Sequence, residues 1–400
     1  MGGAAASLPA DAEAGVPPIV TQLHSNTSLI PPLGLGLENL TYKENNMSGL
    51  LNQAIASIRA PDKEMEEAAL AKLREQARPA GSLGVLEEIS ARLASIAGTL
   101  DVRLEKKIIV TCAGDHGIVE EGVSLFPAEV TPAMVYNFVK GGASVNVIAR
   151  HAGAKVVVVD LGVNHEFEPS LPIFHKKVRM GTANFAVGPA MTREEAARSI
   201  EAGIEILDEL IDAGDIDILG TGDMGIGNTS PSSAIIAAFS GLPVAEVVGR
   251  GTGIDDEALS KKVDAIERGL ALNKPDASDP LDVLAKVGGC EIGGLAGLVI
   301  GAASHGLPVV CDGLISTAGA LIACELAPLA REYLFCSHNS VEKGHQFMHE
   351  RLKRRPLLDL DLRLGEGTGA AVAMEILDLS TRVLADIKSF EEVAISDAQE

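Results

Sequence analysis

The sequence predicts an α/β fold: a Rossmann-like, mostly parallel sheet with helices on both faces, plus a small helical domain from the N- and C-terminal segments. Short β-branched runs alternate with helical segments after residue 106. These runs are almost continuously apolar, as in strands buried on both faces. With 46% hydrophobic residues in 400, the chain also has material for a large core. The predicted strands are Lys107–Thr111, Lys155–Asp160, Asp217–Gly220, Val244–Val248 and Pro308–Cys311.

The helices between these strands carry their own signals. Thr192 and Glu195 form a capping box, and apolar residues then recur on one face of a predicted helix over Thr192–Ala213. A second long helix is predicted from about Ala370 to Ile387. Strands that alternate with helices imply a mostly parallel sheet, in which the helical crossover connections are right-handed.

The chain divides into five predicted segments. Residues 1–46 are rich in Pro, Gly and Asn without periodicity, which favours a disordered extension. Residues 47–105 form the helical segment of the small domain, and 106–369 form the α/β nucleotide-binding domain. Residues 370–390 supply a C-terminal helix that packs with the small domain, and 391–400 form a tail.

Composition excludes several classes of function. A formal net charge of −22 opposes a nucleic-acid or anionic-membrane partner, since both require a basic surface. No apolar run reaches membrane-spanning length, and the first residues lack a targeting pattern. The five cysteines form no C-x-x-C pair and indicate reduced thiols in a cytoplasmic protein.

Polar and glycine residues follow the predicted strands. In doubly wound sheets the ligand lies beyond the carboxyl ends of the strands, so these residues are site candidates. They are Asp115 and His116, then Gly222, Asp223, Gly225, Gly227, Asn228 and Thr229, then Gly251, and finally Asp312 and Ser316.

The segment Gly220–Ser230 admits two interpretations. Gly220, Gly222 and Gly225 match the spacing of a dinucleotide-binding fingerprint. Because Ser230-Pro231 resembles a helix N-cap and first position, we predict a longer open loop that cradles one phosphate or sugar. A plain tight turn is the less favoured alternative.

Two basic sites are weaker candidates. Lys262 follows the glycines Gly249–Gly253 and could bind a phosphate, but an ordinary turn with a solvated lysine is an equal alternative. His345 and His349 are four residues apart and could suggest a metal. No third ligand is identifiable, so a solvated helix face is favoured for them.

Glu366 lies between Gly365 and Gly367 where the last long helix begins. Glycines let backbone approach a ligand closely, so this carboxylate is predicted to face a crevice and act as a base. The alternative is that Glu366 complements the helix dipole.

Taken together, these segments resemble the nicotinate-nucleotide–dimethylbenzimidazole phosphoribosyltransferase family, from about Leu50 to Ile387. The segments that carry the resemblance are Arg78–Gly84, Asp115–Gly117, Gly188–Met191, Gly225–Thr229, Lys286–Gly289, Leu307–Val309 with Asp312-Gly313, Ser337-His338, Glu342–Gly344 and Arg363–Gly367.

The resemblance implies a cytoplasmic homodimer without a metal or cofactor, acting on nicotinate mononucleotide and a benzimidazole-type base. Glu366 matches the general base of the family, and Asp223 replaces an acidic residue that is commonly Glu. The implied base pocket comprises Asp115, His116, Phe126, Met134 and Leu364. Phe126 and Met134 favour apolar methylated benzimidazoles. A dinucleotide-dependent oxidoreductase and a non-catalytic nucleotide-binding module remain as alternatives.

Overall fold

The computed structural model describes residues 49–251 and 253–393. Within them, seven strands form one sheet in which every neighbouring pair is parallel, in the order β3-β2-β1-β4-β5-β6-β7. The strands are β1 Lys107–Gly114, β2 Ala154–Gly162, β3 Phe174–His175, β4 Ile218–Met224, β5 Val309–Cys311, β6 Leu334–His338 and β7 Pro356–Leu358. The predicted extension over 1–46 and residues 394–400 of the predicted tail lie outside the described residues.

Four of the five predicted strands are confirmed, and the fifth is wrong. Val244–Val247 is a short helix that begins after Pro243. Val244 and Val247 are buried whereas Ala245 and Glu246 are exposed, a spacing that fits one helical turn rather than a strand. The sequence analysis also missed β3, β6 and β7, and two of these have only two or three residues.

Fourteen α-helices occur in the described residues, and none of them is long and apolar enough to cross a membrane. They are α1 Gly49–Ser57, α2 Lys63–Glu75, α3 Val85–Ala97, α4 Val130–Val139, α5 Ser144–His151, α6 Arg193–Asp212, α7 Thr229–Ser240, α8 Val244–Val247, α9 Asp256–Asn273, α10 Pro280–Val287, α11 Cys290–Ser304, α12 Leu314–Leu326, α13 His345–Leu352 and α14 Thr368–Asp386. The capping box predicted for α6 is confirmed, with Thr192 as N-cap.

The sheet is buried between two layers of helices. Along β1, Ile108 and Val110 belong to the hydrophobic core on one face, while Ile109 and Ala113 belong to the core on the other. The first core includes side chains of α6, α11 and α12, and the second includes side chains of α3, α5 and α14. A Cβ on Gly297 would overlap the backbone of Ile200, so glycine allows α6 and α11 to pack in close contact.

Helices from the two ends of the chain meet on the second face. Ser90 of α3 donates a hydrogen bond to the Ser380 carbonyl of α14 (2.6 Å), and Gln76 donates to the Val383 carbonyl (2.6 Å). Side chains of these helices share a hydrophobic core with the sheet. Division into domains at residues 105 and 370 remains a prediction.

The strand order places a crevice at the centre of the sheet. From β1 the chain runs outward through β2 and β3, then returns to form β4 on the other side of β1. The connections after β1 and β4 therefore diverge, which opens a space beyond their carboxyl ends. The predicted Asp223 and the segment before α14 both reach this edge.

Candidate active site

A cavity of about 290 Å³ lies at the carboxyl edge of the sheet. It is bounded by residues that follow β1, β4, β5 and β6 and by the segment before α14. The predicted site residues that line it are Phe126, Met134, Asp223, Gly225, Asn228, Thr229, Gly251, Leu364, Gly365 and Glu366.

The backbone of Glu366 is held by the two central strands. Its amide donates to the Asp223 carbonyl (3.2 Å), and its carbonyl accepts from the Thr111 hydroxyl (2.9 Å). A Cβ on Gly222 would overlap this carbonyl, so Gly222 permits the approach. Gly365, Glu366 and Gly367 have φ values of 83°, 65° and 102°, a left-handed run that favours glycine at the first and third positions.

The carboxylate of Glu366 is buried and faces the cavity. It is 6% exposed, and its Oε2 accepts one hydrogen bond from the Val145 amide (3.2 Å) in the first turn of α5. Burial raises the pKa of this carboxyl, and the Val145 amide opposes that rise. The alternative that Glu366 complements α14 is not supported, because its carboxylate contacts α5. A buried carboxylate with a raised pKa is a stronger base than one in water.

Asp312 fixes the start of α14 from behind the cavity wall. Its two carboxylate oxygens accept from the amides of Gly367 and Ala370, both at 3.0 Å. Asp312 is fully buried, and burial raises its pKa to about 7 despite these hydrogen bonds. Asp312 does not line the cavity, and its hydrogen bonds fix the backbone next to Glu366.

We expect Asp312→Asn to destabilise the fold. The new amide group would face a backbone N–H, so one of the two capping hydrogen bonds would be lost, at a cost of about 1–3 kcal/mol. Thermal unfolding would measure this loss. Asp312→Glu is a second variant, because it keeps the charge and moves the carboxylate by one methylene group. Unchanged unfolding of Asp312→Asn would contradict the capping role.

Asp223 lies at the end of β4, in the same cavity as Glu366. Its Oδ2 accepts from the Asn228 side chain (2.9 Å), and its Oδ1 is buried without a hydrogen-bond partner. Burial and then the charge of Asp312 raise the pKa of Asp223 well above its usual range. A buried acceptor without a partner is costly, which indicates that a ligand group belongs beside it.

The open loop predicted over Gly220–Ser230 is shorter in the structure. β4 continues to Met224, so Gly220 and Gly222 are strand residues, and α7 begins at Thr229 with Asn228 as N-cap. The prediction of an open loop up to Ser230 is therefore wrong, because the strand and helix each extend into it. Gly227 makes the turn between them with φ 90°.

Lys262 is buried beside this loop. Its ammonium donates to the Thr229 hydroxyl (2.7 Å) and the Gly249 carbonyl (3.3 Å), and a Cβ on Gly251 would lie 3.6 Å from it. Burial lowers the pKa of Lys262 to about 8, and Glu342 opposes that shift. The alternative of a solvated lysine is wrong. A cation behind Thr229 and Gly251 suits an anionic ligand group.

The exposed part of the cavity lining, here called the mouth, is apolar. Phe126 and Leu364 are 50% and 56% exposed, and Met134 and Val130 of α4 lie beside them. A flat aromatic base would be bound there by contact area and polarisable sulfur.

Asp115 and His116 are not among the residues that line the cavity, and their part in a base pocket remains a prediction. Asp115 accepts from the Asn164 amide (2.8 Å), and His116 lies 2.7 Å from the buried carboxylate of Glu291. A Cβ on Gly225 would lie 3.3 Å from the His116 ring, so His116 lies behind this residue of the cavity wall. Other predicted site residues also lie outside the cavity lining: Gly222, Gly227, Lys262, Asp312, Ser316 and Gly367.

Ten lining residues were missed as site candidates, among them the polar residues His338, Ser340 and Glu342. His338 ends β6, a strand that the sequence analysis did not predict, and Ser340 and Glu342 follow it. The apolar run Leu334–Cys336 before Ser337-His338 was the available signal. A strand predicted there and followed by polar residues would have indicated that the carboxyl end of one more strand reaches the site.

The prediction of a solvated face for His345 and His349 is wrong. Both are buried, and their ring centroids are 4.1 Å apart. His345 accepts from the Ser340 amide (3.0 Å) and lies 2.9 Å from the Thr317 hydroxyl, so it fixes the segment after β6. Within the described residues, no group of three or more His, Cys, Asp or Glu side chains could hold a metal ion.

Known proteins resemble this chain over most of its length. The phosphoribosyltransferase family model matches residues 58–395. Nicotinate-nucleotide–dimethylbenzimidazole phosphoribosyltransferases from Geobacter sp. (strain M21) and Chloroflexus aggregans are 58% and 51% identical, covering 87% and 88% of this chain and 99% of each relative. The solved structure of the Thermus thermophilus enzyme of that name is 44% identical with a TM-score of 0.80, covering 84% of this chain and all of that one.

These matches agree with the geometry of the cavity and give no support to the dinucleotide-dependent oxidoreductase. The buried carboxylates of Glu366 and Asp223 and apolar side chains line one cavity, and the Lys262 cation lies behind its lining residue Thr229. The chain belongs to the nicotinate-nucleotide–dimethylbenzimidazole phosphoribosyltransferase family.

Proposed function

We propose that the protein transfers the phosphoribosyl group of nicotinate mononucleotide to 5,6-dimethylbenzimidazole or a related base. The products are nicotinate and α-ribazole 5′-phosphate, a precursor of cobamides. The observation that carries the proposal is the buried carboxylate of Glu366, which faces a cavity with an apolar mouth.

The reaction needs one base and no general acid. One azole nitrogen attacks C1′ of the ribose and forms the new C–N bond. The bond from C1′ to the pyridinium nitrogen breaks, and its electron pair neutralises the departing nicotinate. The other azole nitrogen loses its proton to the Glu366 carboxylate. A single displacement inverts the β-nucleotide to an α-riboside.

Asp223 and Lys262 have separate electrostatic roles in this proposal. Positive charge develops on the ribose as the C1′ bond to nicotinate breaks, and the Asp223 carboxylate in the same cavity would stabilise it. The 5′-phosphate would bind at Thr229, with the Lys262 cation behind it. Local binding of this kind suits a protein whose overall charge repels anions.

A direct assay tests the proposal. Chromatography should detect nicotinate and an α-riboside phosphate when nicotinate mononucleotide and dimethylbenzimidazole are both present. Nicotinate mononucleotide should raise the melting temperature, and NAD should leave it unchanged. Binding without product formation would favour the non-catalytic nucleotide-binding module instead.

A cytoplasmic homodimer is part of the same proposal. All five cysteines are free and buried, in keeping with a reducing compartment. Leu125, Leu360 and Leu364 are more than half exposed, and Leu364 lines the cavity mouth. Exposed apolar side chains near a site are suited to contact with a second subunit.

A further inference from the structure

Two side chains on the cavity wall have no part in the proton transfer or in phosphate binding. Glu342 is 7% exposed, and its Oε1 accepts from the Gly251 amide (2.9 Å). Its Oε2 is buried without a hydrogen-bond partner. Because an ionised carboxylate only accepts hydrogen bonds, this oxygen can accept one from a donor on a ligand.

His338 also presents an acceptor to the cavity. Ser337 donates its one hydroxyl proton to the Asp312 carbonyl (3.0 Å), and its oxygen lies 2.8 Å from His338 Nδ1. Nδ1 must therefore carry the ring proton and donate to Ser337, which leaves Nε2 with its lone pair. A Cβ on Gly313, another lining residue, would lie 3.6 Å from Nε2.

The environment keeps His338 in this neutral form. The ring is 2% exposed, and burial lowers its pKa to about 4. Gly369 in the first turn of α14 packs against Nδ1 so closely that a Cβ there would overlap the ring. The ring is thus held from its Nδ1 side, with Nε2 beside Gly313.

The donors on the substrate match these acceptors in number. Nicotinate mononucleotide, with its phosphate fully ionised, has two hydrogen-bond donors: the 2′- and 3′-hydroxyls of the ribose. Its phosphate and its pyridine carboxylate are anions, which the Glu342 carboxylate would repel. The azole proton is already assigned to Glu366. The ribose diol is the remaining group that can satisfy two acceptors.

We propose that Glu342 and His338 accept hydrogen bonds from the ribose 2′- and 3′-hydroxyls and thereby select ribonucleotide donors over deoxyribonucleotide donors. This inference rests on the proposed phosphoribosyl transfer and adds residues to it. Sites built to bond a hydroxyl reject analogues that lack it, since the buried acceptor is then left unpaired.

The test compares three donors: nicotinate mononucleotide and its 2′-deoxy and 3′-deoxy analogues. The wild-type protein should lose about 10- to 100-fold in kcat/KM for each missing hydroxyl, the range of a hydrogen bond to a charged or buried group. Glu342→Gln and His338→Asn should each lose activity with the ribonucleotide. Each variant should lose about threefold or less with the analogue whose hydroxyl it no longer binds.

His338→Asn keeps a donor for Ser337 but cannot reach the cavity, so it tests the acceptor even if Glu342→Gln fails to fold. Glu350→Gln, an exposed glutamate on α13, should leave all three donors unchanged. Equal losses with every donor in both variants would overturn the proposal, because they indicate a structural role. Absence of wild-type turnover would be a failure of the proposed function. In that case, calorimetry would compare the binding affinities of the ribo and deoxy donors. Equal affinity for the ribo and deoxy donors then overturns the diol site as well.

Discussion

Glu366→Gln should lower turnover by about 10²–10⁴-fold while nicotinate mononucleotide binds nearly as before. The substitution keeps the shape of the side chain and removes the proton acceptor. The carboxylate is buried and has one hydrogen-bond partner, the Val145 amide, so glutamine can retain its place. Steady-state kinetics and calorimetric binding of nicotinate mononucleotide separate the two effects.

The pH dependence gives an independent check on Glu366. Burial raises the pKa of this carboxyl, so wild-type activity should be lost as pH falls through that raised pKa, above the usual range of glutamate. In Glu366→Gln this acid limb should disappear. Activity should partly return at high pH or with a more acidic azole, whose proton leaves unaided. Near wild-type turnover of dimethylbenzimidazole by Glu366→Gln would exclude Glu366 as the base.

Asp223→Asn should lower turnover by about 10²–10³-fold for every accepting base alike, since charge at the ribose is common to all of them. Asparagine keeps an oxygen for the Asn228 side chain, so the loop should stay in place. A panel of benzimidazoles and purines assayed with one nucleotide donor measures the effect.

The two variants distinguish the two carboxylates. A more acidic azole should rescue Glu366→Gln but should not rescue Asp223→Asn. The reverse pattern would make Asp223 the base. Folding of both variants is checked by thermal unfolding, with the exposed Glu350→Gln as the matched control.

The sequence predicted the parallel sheet because its long strands are marked by apolar runs that end in polar residues. Glu366 and Asp223 could be found because each lies beside glycine at a helix start or a strand end. The strand predicted at Val244–Val248 was wrong, since a five-residue segment with three valines does not separate one helical turn from a strand. The segment buries Val244 and Val247 on one side of a helical turn, and which residues are buried depends on the tertiary fold.

The sites that sequence reasoning missed depend on long-range contacts. Glu342 contacts Gly251, 91 residues away, and His116 contacts Glu291, 175 residues away. No local pattern reports such pairs. His345 and His349 are four apart as on an exposed helix face, but α13 packs against α12 and α7, which buries both.

The hydrogen bonds that fix Glu366 do not involve the side chains of Phe126 and Leu364. Glu366 is fixed by Thr111, Asp223 and Asp312 through backbone atoms and buried side chains. Phe126 and Leu364 stand half exposed, on connections that tolerate substitution. Mutations at the mouth can thus change which azole is accepted without moving the base. Descendants of one ancestral enzyme can then diverge toward different accepting bases, while the proposed proton-transfer step is inherited unchanged.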